Sequence, residues 1–239
     1  MPLVALAYQA SGGDVVASLL SDTALQAIQI SLTTTLISTA TAIVVGTPLA
    51  YLLARYHFPL KRLVDVLIDL PSVLPPAVAG VALLMAFGRR GIVGGLLEGW
   101  GIQIAFTQAA VVLAQLFIAV PFYVRSAALG FGAIEPELEQ AAALDGASGW
   151  QAFRYVVVPL SWTALVSGAV MSWARALGEF GATIIFAGNF PGRTQTMPLA
   201  IYLGFELDLE VALTLSLILI GLSSLALLSV KLILQREWR

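Results

Sequence analysis

The chain has 239 residues, of which 59% are hydrophobic and only 11% are charged. A soluble domain has roughly 45–50% apolar residues and about 25% charged residues, so this composition argues against a water-soluble enzyme. The net charge of −2 gives no basic surface for nucleic acid. The chain has no cysteine and a single histidine, His57, which excludes disulfides, thiol catalysis and a histidine-rich metal site.

Long stretches without any charged residue predict helices that cross the lipid bilayer. They are residues 23–54, 70–88, 99–124, 155–174 and 211–230. Because a helix needs about 20 apolar residues to span the hydrocarbon core, we predict an all-α membrane protein, a polytopic bundle of about five transmembrane helices. Their expected positions are near 27–54, 72–88, 106–127, 160–186 and 210–233. None of the windows shows the alternating polarity of a membrane β-barrel strand.

The first 24 residues contain no lysine or arginine. A secretory signal begins with a basic region, so we interpret residues 1–24 as a short, weakly structured lead-in that is retained and lies on the membrane surface. The core is then expected to span about 25–235, and the whole of 1–239 to form one domain.

The lysines and arginines of the loops predict the orientation of the bundle. If the N-terminus is outside, the inner segments carry eight of these residues and the outer segments carry three, namely Arg89, Arg90 and Arg193. Basic residues concentrate on the cytoplasmic side of membrane proteins. We therefore predict an external N-terminus and a cytoplasmic C-terminus.

Glycine and proline mark positions where helices are expected to start, bend or pack closely. Pro75 and Pro76 predict an irregular turn before the second span, because proline lacks an N–H donor and disfavours helix at the preceding residue. Gly80 and Gly168 are small enough to permit close helix packing. Gly178 is expected to allow a bend in the fourth span.

The inner segment 128–159 is too long and too polar for a simple connection between two spans. Pro136 followed by acidic residues is typical of a helix start. Gly146 is expected to end this helix, and a second short helix follows through Trp150. We predict a helix–turn–helix at the membrane surface, either docking a partner protein or simply covering the bundle.

Arg175 and Glu179 are the charges that fall well inside a predicted span. Intramembrane charges are costly and face the bundle interior or a water-filled path. The two residues are four apart, so they share a helix face and are able to pair. They are candidates for the lining or gate of a translocation path, and the alternative is an ion pair that fixes helix packing.

Part of segment 128–159 resembles the cytoplasmic EAA loop of binding-protein-dependent ABC importer permeases. The family pattern is E-A-A, three residues, G, nine residues, I-x-L-P. It corresponds here to Gln140, Ala141, Ala142, Gly146, Val156, Val158 and Pro159. Glutamine replaces the family's glutamate, with Glu139 directly before it, and valines replace isoleucine and leucine.

The resemblance also covers DLPSVLPPAVAGVALLMAFGRRGIVG (69–94) and MSWARALGEFGATIIFAGNFPGRTQTMPLAIY (171–202). Together with the loop, these stretches are similar to molybdate permeases, with sulfate permeases as close relatives. The resemblance implies a type I ABC importer permease that carries molybdate or tungstate, with 128–159 as the coupling loop and sulfate or another oxyanion as the alternative. It also implies a homodimer in the cell inner membrane, two cytoplasmic ATPase subunits and an extracytoplasmic binding protein.

The resemblance assigns ATPase coupling to residues of the loop: Glu139, Gln140, Ala141, Ala142, Gly146 and Pro159. The sequence has no GxxxxGK[ST] phosphate-binding loop. The chain is therefore expected to be no enzyme and to hold no cofactor, with ATP and Mg²⁺ bound by the partner ATPase.

Two other functions compete with this interpretation. A secondary transporter normally shows inverted repeats and an ion-coupling acid near the midplane, and no repeat is visible here. An intramembrane enzyme requires a catalytic pair, for which Asp65 and Asp69 are the candidates, although they are more typical of solvated loop charges.

Overall fold

A computed structural model describes residues 1–10 and 15–237 of the chain. Regular structure in this part is helical. The helices are α1 (Pro2–Ala10), α2 (Val15–Leu19), α3 (Asp22–Arg55), α4 (Lys61–Val73), α5 (Pro76–Phe87), α6 (Gly94–Glu98), α7 (Gln108–Gly132), α8 (Pro136–Leu144), α9 (Gly149–Ala152), α10 (Val158–Leu160), α11 (Trp162–Leu177), α12 (Gly181–Phe186), α13 (Met197–Leu207) and α14 (Leu209–Glu237). A π-helical turn, Phe153–Val157, joins α9 to α10.

Three of these helices, α3, α7 and α14, are long and apolar enough to cross a membrane. Two bent pairs also have the required length and composition, namely α4 with α5, bent by 116°, and residues 149–160 with α11, bent by 73°. Counting each pair as one span gives up to five spans within the described residues. The prediction of an all-α membrane protein is confirmed.

The second span differs from the predicted helix at 72–88. Pro71 lies inside α4, and the chain turns at Leu74 and Pro75 before α5 begins at Pro76. Leu74 is extended, with φ −64° and ψ 137°, as expected for the residue before a proline. Pro76 occupies the first helical position, where its missing N–H costs nothing. The predicted irregular turn is therefore present, but it separates two helices.

The prediction of one continuous helix over 160–186 is wrong. Helix α11 ends at Leu177 and α12 begins at Gly181. The carboxylate of Glu179 accepts a hydrogen bond from the backbone N–H of Ala182 at 2.8 Å, which stabilises a new helix start. The bend expected at Gly178 is thus a break, and the connection between the fourth and fifth predicted spans contains α13.

Close packing at small residues holds the bundle together. A Cβ atom placed on Gly80 of α5 would lie 2.9 Å from the Ala182 carbonyl oxygen of α12. One placed on Gly168 of α11 would lie 2.7 Å from the Ser126 Cβ of α7. Both glycines therefore permit the close helix approach that the sequence predicts.

Buried hydroxyl groups of α3 connect this helix to its neighbours. The Ser38 hydroxyl lies within hydrogen-bonding distance of two acceptors in α7, the Val112 carbonyl at 3.0 Å and the side-chain oxygen of Gln115 at 3.2 Å. Thr35 accepts a hydrogen bond from the Trp173 indole of α11 at 3.1 Å. Polar side chains that bond across helices keep buried polar groups satisfied where water is absent, so α3 is fixed against both α7 and α11.

Candidate functional site

The loop between α7 and α11 folds as two short helices around a glycine turn, as predicted. Helix α8 begins at Pro136 and ends before Gly146, which has φ +88°. This left-handed conformation is easy for glycine and strained for a β-branched residue. Ser148 and Gln151 then form a reciprocal capping box at the start of α9. Helix α7 extends to Gly132, so the predicted segment 128–159 includes its last turn.

The outer face of this segment is open and partly apolar. Helix α8 has no buried residue. The side chains of Leu144 and Trp150 are 89% and 66% exposed. Of the predicted coupling residues, Gln140, Ala141, Gly146 and Pro159 are exposed and Ala142 is half-buried. These two large apolar side chains are available for contact with another protein or with membrane.

Glu139 differs from the other predicted coupling residues, because its carboxylate is engaged within the chain. Its Oε1 lies 2.7 Å from Nη2 of Arg55, and its Oε2 accepts a hydrogen bond from the Tyr51 hydroxyl at 2.7 Å. Arg55 also donates to the carbonyl oxygen of Ile134, at 2.9 Å. The last turn of α3 is therefore bonded both to α8 and to the residues that precede it.

Aromatic rings surround the same point. The ring of Tyr51 meets those of Phe131 and Phe153 edge-on, with centroid distances of 5.7 and 5.1 Å. Phe153 stacks in turn on the exposed Trp150, at 5.6 Å. A continuous series of contacts thus leads from the surface of the loop to the interior of the bundle.

Arg175 and Glu179 form the ion pair that their spacing predicts. Nη1 of Arg175 lies 2.9 Å from Oε2 of Glu179, whose side chain is 1% exposed, while that of Arg175 is 30% exposed. Because the other Glu179 oxygen accepts the Ala182 N–H, the carboxylate is satisfied on both sides. Only the arginine offers an accessible polar surface.

Asp65 and Asp69, the candidate catalytic pair, are both bound by Arg125 of α7. Its Nε and Nη2 each lie 2.7 Å from a different oxygen of Asp69, and its Nη1 lies 2.9 Å from Asp65. All three side chains are between 32% and 47% exposed. The arrangement is a bidentate ion-pair network that joins α4 to α7.

An open cleft of about 700 Å³ lies between α3 and α7. It is lined by uncharged polar side chains together with aliphatic ones, the polar ones being Gln26, Gln29, Thr33, Thr34, Thr41 and Gln108. Arg175 and Glu179 do not line this cleft. Nor do the residues that the structure describes contain a group of three or more metal-ligating side chains.

The model of the family "Binding-protein-dependent transport system inner membrane component" matches residues 46–239. The chain belongs to this family. This permease is therefore an inner-membrane component of a transport system, as predicted.

Two curated relatives and one solved structure extend this finding. The permease is 43% identical over 230 residues to the "Molybdenum transport system permease protein ModB" of Mycobacterium bovis, covering 96% of this chain and 87% of that protein. It is 40% identical over 161 residues to a "Probable sulfate transport system permease protein cysT" of Chlorokybus atmophyticus, covering 67% and 56%. These relatives confirm the resemblance that the sequence indicates.

The solved structure is that of a bacterial ABC transporter involved in the import of the acidic polysaccharide alginate. The TM-score is 0.71 at 16% identity, with 98% of this chain and 87% of that chain covered. This likeness confirms the ABC importer permease fold.

Sequence reasoning did not identify Tyr51 or Arg55 as site residues. Their partner Glu139 lies more than 80 residues along the chain, so no local spacing connects them. One sequence feature singles out Arg55: it is the first basic residue of the chain and follows directly after the charge-free stretch 23–54.

Proposed function

We propose that this permease is the membrane-spanning subunit of an ABC importer for molybdate or tungstate. The observation that carries the proposal is the 43% identity to a molybdenum transport permease over 96% of this chain. Sulfate is the alternative substrate, and the 40% identity to a sulfate permease over 67% of the chain supports it less. A secondary transporter receives no support from these relatives.

In this proposal, the energy for transport enters through segment 128–159. Two copies of the permease form a homodimer, and a cytoplasmic ATPase subunit, which binds ATP and Mg²⁺, docks on the segment of each copy. The exposed Leu144 and Trp150 provide the apolar contact, and the exposed Ala141 and Gly146 permit close approach. An extracytoplasmic binding protein delivers the oxyanion from the other side.

The translocation path in this proposal includes Arg175. The Arg175 side chain is 30% exposed, whereas that of its partner Glu179 is buried. An oxyanion that approaches this point meets the cation first, with Glu179 shielded behind it. The pair therefore presents positive potential to the path while remaining neutral as a unit.

Reconstituted vesicles test the substrate and the energy source together. The permease and its ATPase are reconstituted in vesicles, and the binding protein is added outside. Uptake of labelled molybdate and of labelled sulfate is then measured with and without ATP on the side of the ATPase. We expect molybdate uptake that requires ATP. Uptake that follows a proton or sodium gradient without ATP would reject the proposal, and uptake of sulfate alone would establish the alternative.

Substitution of Gly146 tests the coupling loop. Gly146→Val strains a residue with φ +88° and adds bulk to the docking face, so we expect ATP-driven uptake and ATPase retention to be lost while the bundle stays folded. Gly132→Val is the matched control, because Gly132 also has open space around its Cβ position and has no positive φ. A Gly146→Val permease with normal uptake and a retained ATPase would refute the coupling role.

A further inference from the structure

The side chain of Glu139 connects helix α8 to the last turn of α3. No residue of α8 is buried, so the apolar contacts that normally fix an amphipathic helix are weak here. Glu139 is the α8 side chain that reaches inward, to Arg55 and Tyr51 of α3. The orientation of α8 therefore depends on polar contacts with α3.

The partner side chains are themselves held firmly. The Arg55 side chain is 12% exposed, and its guanidinium also donates to the Ile134 carbonyl. The Tyr51 ring is packed between Phe131 and Phe153. An ion pair at partial burial is stronger than one in water. Because the partners in α3 are held in place, a movement of α8 moves the end of α3 with it.

We infer that Glu139 is a positioning residue that couples α8 to α3 through Arg55 and Tyr51, rather than a contact to the ATPase. Movement of α8 then displaces the cytoplasmic end of α3, and the helix carries this motion towards the membrane. The inference rests on the proposed coupling role of segment 128–159. It assigns to α3 a part in the conformational change.

The test compares Glu139→Gln with Glu137→Gln in the reconstituted complex. Glutamine at 139 keeps the shape and an acceptor for Tyr51 but removes the charge that pairs with Arg55. Glu137 lies on the same helix and is exposed, so its substitution controls for the loss of one negative charge from α8. We expect Glu139→Gln to retain the ATPase, to lose about tenfold in uptake and to consume more ATP per ion transported. Glu137→Gln should leave the attachment of α8 to α3 as in the unmodified permease, because Glu139 keeps its contacts with Arg55 and Tyr51.

A second measurement reports the attachment of α8 directly. Because the chain contains no cysteine, a spin label on Leu144→Cys reports α8 in the full-length permease in nanodiscs, and one on Leu129→Cys reports the end of α7. We expect Glu139→Gln to increase label mobility at 144 and to leave 129 unchanged. Equal increases at both sites would indicate general loosening of the fold and would overturn the inference.

Tyr51→Phe provides a milder variant if Glu139→Gln fails to fold. It removes only the hydroxyl that bonds Glu139 and keeps the ring packing, so a smaller loss of uptake in the same direction is expected. Wild-type uptake and label mobility in both variants would overturn the inference. The outcome for Gly146→Val separates the two hypotheses. If that variant transports normally, the proposed coupling role of segment 128–159 is rejected. If Gly146→Val is defective and only the Glu139 and Tyr51 variants are normal, only the attachment of α8 to α3 through Glu139 is rejected.

Discussion

Glu179 bonds to the helix before it and to the helix after it. One carboxylate oxygen lies 2.9 Å from the Arg175 guanidinium in α11, and the other accepts the first-turn N–H of Ala182 in α12. A single buried side chain thus joins the two halves of an interrupted helix. The same residue neutralises the cation and caps the helix, so its two roles are separable by substitution.

Glu179→Ala removes both interactions and leaves Arg175 without its partner. Breaking a buried ion pair costs about 3–5 kcal/mol, and loss of a helix cap costs about 1 kcal/mol. We therefore expect assembly or transport to fail, as measured by thermal unfolding in detergent and by uptake. Glu179→Gln retains an acceptor for the Ala182 N–H and should be less destabilised.

The double variant Arg175→Gln with Glu179→Gln tests whether the pair acts as a unit. With no unpaired charge left in the bundle, stability should recover partly relative to Glu179→Ala. Wild-type uptake in Arg175→Gln and Glu179→Ala alike would remove the pair from the transport mechanism.

Gly80→Val should destabilise the contact between α5 and α12. Its Cβ would lie 2.9 Å from a backbone carbonyl oxygen of Ala182, which has no rotamer to move away. Overpacking of this kind costs about 1–3 kcal/mol. The check is the midpoint of thermal unfolding, with Gly221→Val in α14 as control, because no atom lies within 4 Å of the Cβ position at Gly221. Equal midpoints for the two variants would contradict the close packing.

Arg125→Gln should loosen the attachment of α4. It leaves the carboxylates of Asp65 and Asp69 four residues apart on α4 without their shared cation. The pairs are partly exposed, so each contributes about 0–1 kcal/mol, and the loss should shrink at high salt. Thermal unfolding at low and high salt measures this effect. Arg62→Gln, at an exposed position of α4, should show a smaller and less salt-dependent change.

Reporter fusions test the predicted orientation. A reporter after residue 239 should be cytoplasmic, and one after Phe190, whose side chain is 48% exposed, should be external. The physical reason is the excess of lysine and arginine in the segments assigned to the inside. Reporters found on the same side would refute the proposed topology.

The sequence predicted what depends on local spacing. Charge-free stretches located α3, α7 and α14, Pro136 and Gly146 bounded α8, and the four-residue spacing of Arg175 and Glu179 predicted their ion pair. The break at Gly178 was predicted only as a bend, because a helix start inside a membrane requires a cap that spacing alone does not reveal. The Glu179–Ala182 hydrogen bond provides this cap.

Contacts between distant parts of the chain were not predicted. Arg125 binds Asp65 and Asp69 across 60 and 56 residues, and Tyr51 binds Glu139 across 88. The sequence showed that the two aspartates are four residues apart, but it did not show which cation binds them. Those partners depend on how α3, α4 and α7 pack, which hydrophobic windows do not specify.

The number of residues in the π-helical turn Phe153–Val157 sets the direction in which the preceding Trp150 side chain points. Such a turn contains one residue more than an α-helical turn, and each residue rotates a helix by about 100°. Deleting one residue from this turn would swing everything before it, including Trp150 and α8, by about a quarter of a revolution around the axis of the following helix. The exposed surface of this segment would then face a different direction although every side chain in it was unchanged. The number of residues in the turn therefore determines the orientation of this surface as much as their identity does.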